Sequence, residues 1–200
     1  MLRRSIPVAS LVALAAFPRV APADIVCPDS SYCTVTFTTV RDRVTIAPEF
    51  GEALALVGIT IRATLRNCSG APLVGVPAPA IVVANPALCL CPGGNAADAP
   101  TDQTGSTSFT GFIRGGGCAE SLDVVADGVR IGTVPVKTNS GDQVPASPCY
   151  VDAADLSAYA SMLGRSDRYT VCADLNESGP PTINGGDLSY LASLLGQHCE

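Results

Sequence analysis

The chain has 200 residues, with 12 Lys and Arg against 18 Asp and Glu, a formal net charge of −6, nine Cys, one His and no Trp. That length accommodates one or two small domains, and the acidic balance leaves no clustered Lys and Arg with which to bind nucleic acid or an anionic membrane surface. The single His weighs against a His-based triad or a His-rich metal site, the missing Trp against a sugar-stacking platform, and nine Cys point to an oxidising compartment.

Met1-Leu2-Arg3-Arg4 is a short positive segment, Ser5 to Phe17 is largely apolar, and Ala21-Pro22-Ala23 offers small residues at a cleavage site. The pattern predicts a secretory signal peptide over residues 1–23. Its apolar run is shorter than the roughly 20 residues a spanning helix needs, so the mature protein is expected outside the cell or at its surface, with no membrane span. Cleavage after Ala23 leaves nine basic and 18 acidic residues, and all nine Cys. An odd number leaves at least one Cys unpaired within the chain or bridged to a partner.

Residues 24–138 read as strands. Thr34 to Val40 is rich in Thr, Val and Phe, Leu54 to Leu65 alternates, Ala80 to Ala84 is a short apolar run, and Ser106 to Arg114 alternates again. Leu122 to Ala126 and Val129 to Val136 flank Asp127-Gly128, a strong hairpin signal. Short strands separated by Gly-, Pro- and Asn-rich turns predict an antiparallel β-sandwich. Gly70-Ala71-Pro72-Leu73-Val74-Gly75-Val76, Thr101-Asp102-Gln103-Thr104-Gly105 and the closing Asp127-Gly128 follow one another in an order that resembles bacterial immunoglobulin-like repeats of invasin-type surface proteins. The resemblance covers about 70 residues. It implies an Ig-like sandwich acting as a spacer or adhesive module.

Thr138 to Pro148 is polar and then proline-containing, and reads as a linker, with residues 139–148 also holding a first loop. Residues 149–200 are expected to be helical. The segment Asp155-Leu156-Ser157-Ala158-Tyr159-Ala160-Ser161-Met162-Leu163-Gly164 recurs 32 residues later, from Asp187 to Gly196. Leu156, Tyr159 and Leu163, matched by Leu188, Leu191 and Leu195, make one apolar stripe on each of two helices. Each helix is expected to end at its Gly.

Before the second helix, oxygen-bearing side chains alternate around a turn glycine. Calcium takes six to eight oxygens, and alternate residues of a tight loop turn inward together. Asp174, Asn176, Ser178, Asn184 and Asp187 are therefore expected to ligate calcium, with Gly179 making the turn and Ile183 bridging to the other loop. From Asp174 to Asp187 the loop counts 14 residues, against the 12 of an EF-hand loop. In the first loop Val144 and Ala146 replace two ligand positions, leaving Asp142, Asp152 and Asp155 as a poorer site.

The pattern D-x-N-x-S-G followed by I-N-x-x-D-L resembles a type I dockerin. The resemblance implies two calcium-binding loop–helix repeats that dock onto a cohesin-like protein. It also places the residues that choose the partner at Ala153-Ala154 and Gly185-Gly186, which here are not the usual polar pair. The expected fold class is thus multi-domain, an all-β Ig-like antiparallel sandwich followed by a small all-α, dockerin-like pair of EF-hand-like loop–helix repeats.

If the two helices are antiparallel, Cys149 and Cys199 staple the ends of the helical module, with Cys149–Cys172 as the alternative pairing. Cys89-x-Cys91 is read as disulfide-forming rather than zinc-binding. His198, beside the C-terminus, reads as a surface residue, and the sequons at Asn67 and Asn176 as fortuitous. The expected function is that of a secreted, non-enzymatic, calcium-binding interaction protein with a cohesin-like or cell-surface partner. The alternatives are an accessory subunit of a polysaccharide-degrading system with a hydrolase site in the sandwich, and a repeat that only caps or dimerises the chain.

Overall fold

The computed structural model describes residues 26–27, 32–143, 149–168, 170–176 and 182–200. The signal-peptide segment, Ser178, Gly179 and the Pro145 to Pro148 stretch lie outside the described residues. Ten short strands run in chain order: β1 Thr34–Thr38, β2 Arg43–Ile46, β3 Thr60–Thr64, β4 Ile81–Ala84, β5 Leu88–Leu90, β6 Ser106–Phe109, β7 Gly115–Gly117, β8 Leu122–Ala126, β9 Val129–Val134 and β10 Lys137–Ser140. Two helices of ten residues follow, α1 Ala153–Met162 and α2 Gly185–Leu194.

The strands form four small sheets rather than two large ones. β1-β3-β6 and β4-β8-β9 are three-stranded and antiparallel, β5 pairs antiparallel with β7, and β10 pairs parallel with β2. Alternation explains which face is buried. Ile61 and Ala63 of β3, Ile81 and Val83 of β4, and Leu122, Val124 and Ala126 of β8 all point into one cluster, with Phe109, Ile131 and Val134. Each fully buried aliphatic side chain of this kind contributes about 1.5–3 kcal/mol.

Local signals hold where turn chemistry is strong. Asp127 and Gly128 both take positive φ, 47° and 79°, and Ala126 pairs with Val129 across them, as a type I′ turn requires. The Asp102 carboxylate accepts from the Thr104 and Ser106 backbone N–H groups, closing the turn at Gly105. The predicted strand from Leu54 to Leu65 is interrupted. Leu54–Val57 is a 3-10 turn ended by Gly58 at φ 74°, and only Thr60–Thr64 is strand. Leu54 is buried while Leu56 is exposed, so the first half of the alternation serves a turn.

The expected fold class does not hold. The described residues form mostly small β-sheets with two short helices, a clear Ig-like sandwich is not present, and the helices do not make an independent all-α dockerin-like pair of loop–helix repeats. The physical reason lies in what the helical segment packs on. Thr138, Asn139 and Ser140, in the stretch read as linker, are fully buried in β10 and pair with Val44, Thr45 and Ile46 of β2. Lys137, at the start of β10, forms an ion pair with Asp42 at 3.1 Å. Ala47 joins Val151, Tyr159, Leu175, Ile183 and Leu191 in a second apolar cluster. The Gln197 Oε1 accepts from the Glu49 and Phe50 backbone N–H groups at 3.2 Å each.

The disulfides complete the correction. Cys149 bonds to Cys89, Cys199 to Cys91, Cys118 to Cys172 and Cys27 to Cys68, so neither Cys149–Cys199 nor Cys149–Cys172 is formed. The two ends of the helical segment do meet, since Tyr150 bridges His198 and the Cys199 N–H donates to the Cys149 carbonyl at 3.2 Å. Cys89 of β5 and Cys91 just after it, however, lie beside that meeting point. Each terminal Cys therefore takes a partner in the sheet. Cys33 is the free cysteine, buried and accepting from the Arg66 N–H at 3.4 Å.

Candidate functional site

The two copies of the repeat make the same bonds. At α1, the N-cap Asp152 carboxylate accepts from the Ala154 N–H at 2.6 Å, while Asp155 Oδ2 accepts from the Asp152 N–H at 2.9 Å. At α2, Asn184 Oδ1 accepts from the Gly186 N–H at 2.7 Å, and Asp187 Oδ2 from the Asn184 N–H at 2.8 Å. These are capping boxes, which satisfy N–H groups that a helix start leaves orphaned.

Each second carboxylate oxygen holds the loop before its helix. Asp155 Oδ1 accepts from the Gln143 N–H at 2.7 Å. Asp187 Oδ1 accepts from Leu175 and Asn176 at 2.8 and 3.0 Å. The helix ends are also exchanged. Gly164 donates to the Ile183 carbonyl at 2.8 Å and Gly196 to the Val151 carbonyl at 2.9 Å. Both glycines take positive φ, as expected for the residue that ends each helix. Ile183, expected to bridge to the other loop, reaches the residue after α1 instead.

Tyr159 lies between the two copies, fully buried, its hydroxyl donating to the Ser140 carbonyl at 2.9 Å. Burial pushes its ionisation up, and the charges of Asp187, Asp155 and Asp174 push it further. Leu191 holds the matching buried position on α2. Leu163 and Leu195, the last members of the predicted stripes, are exposed instead, and Leu194 is buried. They are the C-cap residues of their helices, where the chain has left the helical path.

Four of the five residues expected at the second loop are described, and three of them, Asn176, Asn184 and Asp187, are hydrogen-bonded together. Asp174 and Asp187 are buried, Asn176 Nδ2 donates to Asn184 Oδ1 at 3.3 Å, and the Asn176 backbone is held by Asp187. Ser178 lies outside the described residues. The three candidates of the first loop lie near enough for Asp155 and Asp152 to act on the Asp142 carboxyl, but their carboxylates do not gather as a metal-holding group. Asp142 is buried against Gly116, where a Cβ would overlap its carboxylate. Burial, then the charges of Asp155 and Asp152, raise the Asp142 carboxyl to about 6, against the pull of N–H groups from Cys149 and Tyr150.

Sequence reasoning missed three polar residues, Asn139 and Gln197, which are buried, and Gln143, which is half-buried. Asn139 donates from Nδ2 to the Asp174 carbonyl, and its Oδ1 is buried with no hydrogen-bond partner. Gln143 donates from Nε2 to the Ser140 and Cys172 carbonyls. Gln197 holds the Pro48–Phe50 turn. No periodicity marks such residues; only their packing against a distant strand does.

Beside the first loop lies a groove of about 570 Å³ lined by Leu88, Cys89, Cys118, Asp142, Gln143 and Cys172 among others. A smaller cleft of about 230 Å³ lies over Cys91, with Arg114, Glu49, His198 and Glu200. His198 is exposed, edge-on to Tyr150 at 6.0 Å between ring centroids.

No protein-family model, no curated protein and no solved structure matches the chain. Four disulfides, and the absence of any helix long and apolar enough to cross a membrane among the described residues, are compatible with an extracellular location.

Proposed function

We propose that this chain is a secreted, non-catalytic protein that binds one calcium ion at the loop before α2 and presents the stabilised surface to a protein partner, of cohesin-like or cell-surface type. The observation that carries the reading is the joining of Asn176, Asn184 and Asp187 by hydrogen bonds at the start of α2, with the buried Asp174 two residues before Asn176. All four offer hard oxygen donors, the class calcium selects.

The fit has a definite shape. Asp187 Oδ1 accepts two N–H bonds and Oδ2 one. A carboxylate oxygen has two acceptor positions, so Asp187 has one left, on Oδ2, while it holds the loop. It would serve as a single-oxygen ligand, with Asp174 and Asn176 as the other side-chain donors and Asn184, whose Oδ1 already accepts from Gly186 and Asn176, acting through water. Bound calcium would neutralise the carboxylates of a segment that carries eight acids and two Arg over residues 141–200.

The test is a calorimetric calcium titration of the whole mature chain. One binding event is expected, and Asp174→Asn should weaken it about tenfold or more while leaving the melting temperature in chelator unchanged. No binding up to about 10 mM calcium, well past the range of extracellular modules, would overturn the reading.

A further inference from the structure

We propose that Cys89, Cys91, Cys149 and Cys199 form a thiol–disulfide exchange site, which accepts a small thiol at Cys199 and delivers a free thiolate at Cys89. The proposal rests on the crowding of two disulfides. The Sγ atoms of Cys91, Cys149 and Cys199 all lie within 4.8 Å of one another, although Cys91 and Cys149 belong to different bonds. Exchange proceeds by attack of a thiolate on a disulfide sulfur through a mixed disulfide, so what it needs is a second sulfur within reach of the one released.

The inner pair, Cys91 and Cys149, is buried, whereas the outer cysteines, Cys199 and Cys89, are both half-buried, so a thiol can enter at one end and a thiolate emerge at the other. A cleft of about 230 Å³ reaches the Cys91–Cys199 bond at Cys91, and its lining holds both signs of charge, Arg114 and His198 with Glu49 and Glu200. Cys89, at the far end of the other bond, lines the separate groove of about 570 Å³.

The electrons balance without an oxidant. A thiolate RS⁻ attacks Cys199 Sγ, forming the Cys199–S–SR bond and breaking Cys91–Cys199, with the electron pair left on Cys91. The Cys91 thiolate attacks Cys149 Sγ, forming Cys91–Cys149 and breaking Cys89–Cys149, with the pair left on Cys89. One thiolate enters and one leaves, and the number of disulfide bonds is unchanged. The chain stays tied between β5 and the helical segment throughout, because Cys91–Cys149 replaces the bonds it consumes.

Glutathione is the probe. The full mature chain is incubated with it at mildly alkaline pH, quenched in acid, alkylated, digested and mapped by mass spectrometry. The expected map has glutathione on Cys199, a Cys91–Cys149 linkage and the alkyl group on Cys89. Alkylation at Cys91 with Cys89–Cys149 intact would overturn the relay, and so would the absence of any glutathione adduct. A second measurement uses no added thiol. In Cys199→Ser the thiol left on Cys91 should distribute between Cys91 and Cys89, through a Cys91–Cys149 bond. A thiol found only on Cys91 would overturn the proposal.

Discussion

Asp142 shows how one buried carboxyl sets a pH dependence. Its pKa is raised to about 6 by burial and by its acidic neighbours, against about 3.9 for an unperturbed Asp. Between those values the folded chain binds the proton and the unfolded chain does not. By linkage this group's contribution therefore favours folding more as pH falls from about 6 to about 4, and the charged form is a burden above that window. Asp142→Asn should flatten stability over that interval, and stabilise the chain at pH 7 by about 1–2 kcal/mol, less than the full shift because solvent screens part of it. Urea unfolding of the two proteins in chelator at several pH values checks this; a variant less stable than the parent at pH 7 would contradict it.

At the scale of the element, the capping boxes differ in what they hold. Asp152 accepts the Ala154 and Asp155 N–H groups at the exposed start of α1, so Asp152→Ala should cost about 1 kcal/mol. Asp187 accepts three, from Leu175, Asn176 and Asn184, and is fully buried. Asp187→Ala leaves them unsatisfied and should cost about 3 kcal/mol or more, with loss of hydrogen-exchange protection at Leu175 and Asn176. Equal losses for the two variants would show that Asp187 does no more than cap. The helices themselves were legible from the 32-residue repeat, because a repeat of Asp, apolar stripe and Gly carries start, face and stop together. The short strands β2, β5, β7 and β10 were not. β7 is Gly115-Gly116-Gly117, which reads as a turn, yet it pairs with β5 because a Cβ at Gly115 would overlap the Cys89 carbonyl.

For the whole molecule, three disulfides join the sheets to the helical segment, with sequence separations of 54, 60 and 108. Removing one of them, by Cys118→Ser with Cys172→Ser, should cost about 4 kcal/mol on the chain-entropy relation for a loop of that length. Equilibrium unfolding in urea would show it as a lower midpoint with a single transition, because β10 and Gln197 still couple the two regions. Two separated transitions would show instead that the disulfide alone makes them one cooperative unit.

By itself the sequence determined what acts over a few residues. The Asp127-Gly128 hairpin, the Asp102 turn, the two helices with their terminal glycines and the acid-rich loops all follow from backbone preference and side chains that bond their own neighbours. Only the tertiary structure decided what spans the chain. It divided the strands into four small sheets, placed β10 on β2, and gave Cys149 and Cys199 to Cys89 and Cys91 rather than to each other. The physical reason is that a parallel strand pair and a disulfide depend on which surfaces meet in space. An apolar stripe announces that it must be buried, and nothing in its spacing names the surface that buries it.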